Sequence, residues 1–450
     1  MGSATRINQI FVIALGLFAS ECAFAAETLQ DAWRIAEQNN HAVLASRLHA
    51  KAAHQNTLAV AAQKWPTAQA KTGFISRSSE PSFVGSQPAL GINSLSLPFA
   101  QRNAGRFSAG ASVPLWTARR LEHTEAAARS RQYASYKKSA WLENEIRYAV
   151  AEAFFAVLRA QHAMVSAKQY LDGSNAHARE LTEAERQNRI EHRQVLAATV
   201  QVRRAEQALL TSRNAHVDAC ATYNQLLGRR VSTPFELAVP VVTRLQGSIE
   251  ELTALATSHR PDILQLNQVA SGFANDAAAW RASKRPQVSA EVGFVYEENQ
   301  FQSPQGLGTA GLVVDWKFFD AGLRQRRAQE SDRRAAAIRQ EQEELRSQIA
   351  VEVLRSWNER TEAIASEQVA EASYAHAAEN ARAVKQRVLQ GLATPQEEIA
   401  VDAEFSRADT DWLIAKMYRD LAELRLRLAC GITGDETQIH APTVPGQPQR

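Results

Sequence analysis

At 450 residues, with 51 Lys and Arg against 48 Asp and Glu, the chain carries a formal charge of only +3. That balance gives no electrostatic reason to invoke a nucleic-acid partner. Three cysteines and eleven scattered histidines supply neither a disulfide framework nor a metal-ligand spacing. No Gly-rich phosphate loop or Ser/His/Asp spacing is present either, so no enzymatic chemistry, cofactor or metal is expected.

Residues 1–25 read as a secretory signal peptide. Arg6 is the positive region, Ile10 to Ala19 the short apolar region, and Ala23-Phe24-Ala25 the small-x-small cleavage site. Cys22 is not expected to carry lipid, because Glu21 stands where a lipobox needs a small residue. Beyond the signal no run of about 18 apolar residues remains, so no helix is expected to cross a membrane. Cys220 and Cys430 lie in apolar helical contexts and are expected to be buried free thiols.

The mature chain reads as an internal tandem duplication. Pro66, Gly73 and Phe74 match Pro286, Gly293 and Phe294 at an offset of 220 (286 − 66), which extends back to Leu29 and Ile249. Further on the offset is 203: Leu115-Trp116 matches Phe318-Phe319, Phe154 matches Trp357, and Gly228 matches Gly431. The difference lies in a Ser/Gly/Pro-rich stretch between Phe74 and Phe107, expected to be loop. Repeat one, 26–228, is predicted as a helix, a strand hairpin at about 66–116 and long helices at about 117–187 and 195–228. A linker follows at 229–248. Repeat two, 249–431, is predicted as a helix, a hairpin at about 286–319 and long helices at about 320–389 and 396–430. The polar, Pro-rich 432–450 reads as a disordered tail.

Four strands carry the functional signal. Ala68, Ala70, Thr72 and Phe74 alternate with Gln69, Lys71 and Gly73. Phe107, Ala109, Ala111 and Val113 alternate with Arg106, Ser108, Gly110 and Ser112. In repeat two Val288, Ala290, Val292, Phe294 and Tyr296 alternate with Gln287, Ser289, Glu291 and Gly293. Ala310, Leu312 and Val314 alternate with Thr309, Gly311 and Asp315, with Val313 as the apolar exception. Strands of about 10 residues with one apolar and one polar face suit a transmembrane β-barrel. Trp65, Trp116, Trp316, Phe318 and Phe319 fall at strand–helix junctions, where an aromatic belt would sit at a membrane interface. Four strands cannot close a barrel, and an open edge cannot face lipid, so two, three or four chains must share one.

The longest stretch without Gly or Pro, Leu323 to Gln390, is rich in Ala, Arg, Gln, Glu and Leu, the strong helix formers. Ile338, Leu345, Ile349, Val353, Trp357 and Ile364 form its apolar stripe, with a period of about 3.7 residues, straight or slightly right-handed. One stripe on a polar helix requires partner helices.

This order of elements resembles the TolC-like outer-membrane efflux protein family over nearly all of the mature chain. The marks are Leu29-Gln30-Asp31-Ala32, Trp65-Pro66, Phe318-Phe319-Asp320-Ala321-Gly322 and Gln390-Gly391-Leu392-Ala393-Thr394. The resemblance implies a mixed α and β membrane protein in the outer membrane of a Gram-negative bacterium, with its helices in the periplasm. It implies a homotrimer in which four strands per chain close a 12-stranded transmembrane β-barrel continued by an α-helical tunnel. Its turns at Asn188 to Gln194 and Gly391 to Gln396 would be periplasmic tips. There Arg189, His192, Arg193, Gln194, Gly391 and Thr394 would contact a periplasmic adaptor protein that links the channel to an inner-membrane transporter. The family's acidic constriction maps to Glu397 and Ala400, with Glu398 adjacent. Its tip lock maps to Gln194, Val388 and Ala393, none of which keeps a charge or a ring. The implied function is a passive duct for small molecules or, in type I secretion, for a polypeptide. The alternative is a periplasmic coiled-coil adaptor or structural protein without a pore. It accounts for the long helices but not for four alternating strands ending in aromatics.

Overall fold

Helix-forming composition becomes the longest elements of the chain. The computed structural model describes residues 26–87 and 92–432. The expected signal peptide and all but Ile432 of the expected tail lie outside them. The first half runs α1 (Leu29–Asn39), α2 (His41–Ala62), β1 (Thr67–Ser76), β2 (Ser82–Gln87), β3 (Ile92–Pro98), β4 (Asn103–Trp116), α3 (Arg120–Arg186) and α4 (His192–Leu226). The second runs α5 (Ile249–His259), α6 (Pro261–Ala282), β5 (Gln287–Glu297), β6 (Gly306–Asp315), α7 (Leu323–Leu389) and α8 (Pro395–Ala429). Helices of 11, 22, 67 and 35 residues follow one another in each half. At 1.5 Å per residue, α3 and α7 are each roughly 100 Å long.

The structure differs from the sequence reading in three places. The single helix expected ahead of each hairpin is broken in two, at Asn40 and, 220 residues later, at Arg260. Asn40 leaves the helical region and uses its amide as a clamp. Its Nδ2 donates to Leu226 O at 2.8 Å, while its Oδ1 accepts from Ala42 N at 2.9 Å. Arg260 precedes Pro261, whose ring disfavours helical backbone in the residue before it. The second difference is the stretch expected to be loop, which holds the β2–β3 hairpin, with Phe83 opposite Leu97 and its ring 4.8 Å from Phe99. The third is the stripe of α7. Ile349 and Val353 of the expected stripe are buried and Ile338, Leu345, Trp357 and Ile364 half-buried, but Ala328, Ala335, Gln342 and Ser356 are buried as well, and with Ile349 they fall seven apart, the left-handed coiled-coil repeat. Most of these are small or polar, so an apolar pattern does not show them.

The chain divides into two compact units. Of the described residues, one comprises those up to Leu44, Glu143–Ile249 and those from Val353 on. In its core Leu29, Ala32 and Ala36 of α1 meet Val150, Phe154, Phe155 and Val157 of α3, with Tyr223 and Leu227 beside them. Burying each large side chain is worth about 1.5–3 kcal/mol. The Tyr223 hydroxyl donates to Glu27 Oε1 at 2.9 Å, and Arg229 pairs with the same carboxylate at 2.9 Å. Burial and the Glu27 charge push the Tyr223 phenol far up, so it stays a neutral donor. The segment expected as a linker is strapped down. Asn224 Nδ2 donates to the carbonyls of Val231 and Thr233, Arg427 to that of Thr243 and Arg360 to that of Leu245. The long helices pack in the order α4–α3–α8–α7. Gln201 reaches Tyr170 at 3.2 Å, Ser166 meets Thr410 at 3.3 Å, and Tyr374 stacks on Trp412 at 4.9 Å.

The other unit comprises Ala45–Leu142 and Glu250–Glu352. Lys64, just past α2, pairs with Glu125 of α3 at 2.6 Å. Arg131 of α3 pairs with Asp276 of α6, and Arg281 of α6 with Asp332 of α7. The helix order α2–α3–α6–α7 repeats the order of the strands they join, β1–β4–β5–β6. Arg260 is buried under the Trp141 ring at 4.2 Å and satisfied by Asp262 at 2.8 Å and Glu352 at 2.6 Å.

Gly228 has φ +68, and a Cβ there would lie 2.4 Å from Asn39 O. Gly228→Ala is therefore expected to destabilise the fold by roughly 2–4 kcal/mol. Gly173, inside α3, is the control, because a Cβ there would meet nothing within 4 Å. Gly173→Ala should raise stability by up to about 1 kcal/mol. Thermal melting followed by circular dichroism reads both.

Candidate functional site

Pleating sends alternate side chains to opposite faces, so the register decides whether four patterned strands make one amphipathic surface. It does. Ala70 stands opposite Ala109, Ala109 opposite Phe294, and Phe294 opposite Gly308. One step along, Ala68, Ala111, Val292 and Ala310 share a row, and Val113, Ala290 and Leu312 share the next. Most apolar residues of the four strands thus lie on one face, while Gln69, Lys71, Arg106, Ser108, Ser112, Ser289 and Glu291 lie on the other, where Val295, Leu307 and Val313 are the apolar exceptions. The apolar face is open: Phe74, Val292, Leu312 and Val314 are all more than half exposed. Among the described residues β1 and β6 each have a single partner, so the sheet has two free edges.

Both strand-to-helix exits use the same backbone device. Ala118 and Arg119 have φ 52 and 68, and Ala321 and Gly322, each 203 residues on, have φ 52 and 81. Two consecutive left-handed residues turn the chain out of the sheet. In the second half Asp320 fixes the turn, its Oδ2 accepting from Arg324 Nε at 2.6 Å and Arg324 N at 3.0 Å. These bonds hold the Asp320 carboxyl below its usual range. Sequence reading missed this clamp, although Asp320-Ala321-Gly322 is its signal. Trp65, Trp116, Trp316, Phe318 and Phe319 gather at this end of the sheet, from 49% exposed at Trp116 to 82% at Phe318. The last three lie beyond the end of β6 at Asp315. Trp316 Nε1 donates to Lys284 O at 3.1 Å, and its ring lies 6.1 Å from Phe318.

The two helix-to-helix turns, in the other unit, also share one backbone form. Asn188 (φ 53) and Gly391 (φ 71), 203 apart, hold the left-handed position that ends a helix. Leu392 N closes the second turn on Arg387 O at 2.8 Å, and Arg189 N the first on Ala184 O at 2.9 Å. The side chains differ. Helix α4 starts at His192, earlier than the expected 195, so His192, Arg193 and Gln194 sit on its first turn. Its N-cap, Glu191, makes no side-chain cap bond and pairs instead with Arg193 at 2.6 Å. His192 Nδ1 lies 2.6 Å from Glu185 Oε1. Thr394 caps α8: its Oγ1 accepts from Glu397 N at 3.3 Å and donates to Glu397 Oε1 at 3.2 Å. Glu397 is exposed and Glu398 half-buried. No hydrogen bond or ion pair among the described residues joins the two turns. Neither Cys220 nor Cys430 is in a disulfide; the first is half-buried and the second buried.

Residues 252–432 match the family described as outer membrane efflux protein. That match spans most of the second half of the chain. No curated protein matches the chain in sequence. Solved structures match nearly all of it. A membrane protein from Pseudomonas aeruginosa superposes with TM-score 0.71 at 16% identity, covering 93% of this chain and 94% of its own. VceC from Vibrio cholerae gives 0.70 at 15%, covering 90% and 97%. The open state of the Neisseria gonorrhoeae MtrE outer membrane channel gives 0.69 at 18%, covering 91% and 90%. The TolC-like resemblance read from the motifs therefore stands, and the fold is that of outer-membrane efflux channels. The match to the efflux family over the second half, with the channel fold over nearly all of the chain, places the protein in the outer membrane, among channels rather than enzymes. No helix among the described residues is long and apolar enough to cross a membrane.

In this efflux protein a charge on the apolar face should be costly and one on the polar face tolerated. Val292→Lys is expected to prevent stable assembly, since Lys at the bilayer midplane costs roughly 2–4 kcal/mol. Ser289→Lys should assemble normally. Heat-modifiable migration of the membrane fraction compares the two; equal assembly would reverse the face assignment.

Proposed function

We propose that three copies of this chain form a passive outer-membrane duct. The observation that carries the reading is the single apolar face of a sheet with two free edges. β1 leaves the helices and β6 returns to them, so β6 of one copy meets β1 of the next antiparallel, the pairing used throughout the sheet. Repeating that contact around an axis closes a ring, as head-to-tail interfaces do. Closure also removes every unpaired edge from lipid. With four strands per copy, a trimer gives 12 strands, above the minimum of about 8. The apolar face then meets lipid, and Lys71, Arg106, Ser108 and Glu291 line the lumen. The recurring offsets of 220 and 203 support a tandem duplication, with repeats at 26–228 and 249–431 joined by 229–248.

The long helices continue the duct as a periplasmic tunnel, and the turns at Asn188 to Gln194 and Gly391 to Gln396 are its tips. Arg189, His192, Arg193, Gln194, Gly391 and Thr394 present the surface for a periplasmic adaptor, which couples the duct to an energised inner-membrane transporter. The family resemblance supports this arrangement. Neighbouring genes read the cargo: a proton-driven pump marks small-molecule efflux, and a secretion ATPase beside a large repeat protein marks polypeptide export.

Glu397 forms the constriction, with Glu398 a weaker contributor. Three carboxylates around one axis attract cations, as acidic rings do in cation channels. Ala400 supplies no second ring, so the preference is mild. Reversal potential across a planar bilayer under a salt gradient tests this. Glu397→Gln should move the duct toward non-selectivity, whereas Glu362→Gln on α7 should not. An unchanged potential in the first variant would leave Glu397 as the partner of the Thr394 cap alone.

A further inference from the structure

The sheet ends differ in charge. At the end far from the helices Arg77 pairs with Glu297 at 3.0 Å, and the acids Glu80 and Glu298 stand in the loops there to balance Arg102. At the helix end the nearby acids are already taken. Asp320 holds Arg324, Glu330 holds Arg327 and Arg334, and Asp332 holds Arg281. Of the other acids at this end, Asp315 stands opposite Gln287 on the polar face, and Glu122 lies at the separate β4–α3 junction, on the first turn of α3. Lys284, Arg285, Lys317 and Arg326 are left exposed, with no ion-pair partner among the described residues.

These cations are grouped by the fold. Lys284 Nζ donates to Gln325, its carbonyl accepts from Trp316 Nε1, and Arg324 spans from Ser283 O at 2.6 Å to Lys317 O. The α6–β5 and β6–α7 junctions are therefore one surface, with Trp316, Phe318 and Phe319 beside the free charges. Aromatic rings mark the headgroup level of a bilayer, and cations placed there attract anionic lipids.

We propose that this surface binds anionic phospholipid headgroups in the leaflet on the helix side of the membrane. The proposal rests on the reading of the sheet as membrane-spanning. Phe318 and Phe319 bury their rings against acyl chains, while Lys284, Arg285 and Arg326 hold the phosphodiester. Arg324 takes no part, because Asp320 and two backbone carbonyls occupy it.

Quenching of tryptophan fluorescence by brominated lipids tests it on the full mature protein reconstituted in vesicles. The readout is the binding of brominated phosphatidylglycerol relative to brominated phosphatidylcholine, sensed by the tryptophans at the junctions. The wild-type protein should favour the anionic lipid roughly fivefold, and raised salt should reduce that ratio. Lys284→Gln/Arg285→Gln/Arg326→Gln should bring it to about one. Lys71→Gln/Arg102→Gln/Arg106→Gln, which removes the same charge from the polar face and far end, should leave it unchanged. If both lipids quench the wild-type protein equally, the headgroup site is overturned and the membrane reading survives. If neither lipid quenches, the membrane reading fails and the site with it. If the control variant loses the preference as fully as the junction variant, net charge alone sets it and the site is overturned. Should the junction variant fail to assemble, the wild-type ratio and its salt dependence still decide.

Discussion

Unpaired backbone is the constraint on which the rest depends. A strand edge can be left bare in water, where solvent satisfies its N–H and C=O groups. In hydrocarbon each bare group costs several kcal/mol. β1 and β6 end the sheet, and the face they carry is too apolar for water: Phe74 of β1 and Leu312 and Val314 of β6 are each at least 63% exposed. Neither solvent suits this sheet alone. The proposed ring of copies would resolve the conflict, because it would pair the edges and give the apolar face to lipid. The helix rows have the same incomplete character, with α2 and α7 outermost in one unit and α4 and α7 in the other.

The junctions translate one geometry into the other. Strand spacing is about 4.8 Å and helix spacing about 8–10 Å, so a chain that leaves a strand for a helix must change direction sharply. Two left-handed residues in succession do this in both halves. The second half places Gly322 at the second position, where positive φ costs nothing. The first half places Arg119 there, a conformation that costs an L-residue roughly 1–2 kcal/mol. The Asp320–Arg324 clamp accompanies the glycine, and the aromatic cluster beside it belongs to the same few residues. Sheet exit, interface marking and helix initiation are thus compressed into Trp316 to Arg324.

Much of this was legible in the sequence, for a physical reason. Strand faces follow a period of two, and Val292 or Ala109 betrays its face by its chemistry alone. The offsets survive because the turns need particular backbone angles, as at Asn188 and Gly391. What stayed hidden rests on residues whose role is geometric. Ala328, Ala335, Gln342 and Ser356 are buried although none is a large apolar side chain, so the large apolar residues of the helix show only part of its buried face. The hinge at Asn40 is a side-chain amide bonding a distant helix end, and nothing within its own stretch of sequence announces Leu226. The β2–β3 hairpin escaped notice because Ser, Gly and Pro surround the alternating Leu95, Leu97 and Phe99. At the candidate tips the carbonyl-closing turns were foreseeable, but Glu397's partnership with Thr394 depends on where α8 begins.

The two halves keep their backbone and change their chemistry, and the tips show what that does. Equivalent N-caps, Glu191 and Thr394, lie 203 residues apart. Thr394 caps its helix with a neutral hydrogen bond worth about 1 kcal/mol, which salt leaves largely intact. Glu191 leaves its helix uncapped and joins Arg193, while His192 joins Glu185, in pairs whose basic partners are 69–80% exposed. Such pairs contribute about 0–1 kcal/mol each and weaken as ionic strength rises. One turn is therefore held by its own cap and the other by screened surface charge. Both turns keep their backbone closure, at Arg189 N to Ala184 O and Leu392 N to Arg387 O, so ionic strength bears on the side-chain contacts of the first turn more than on those of the second.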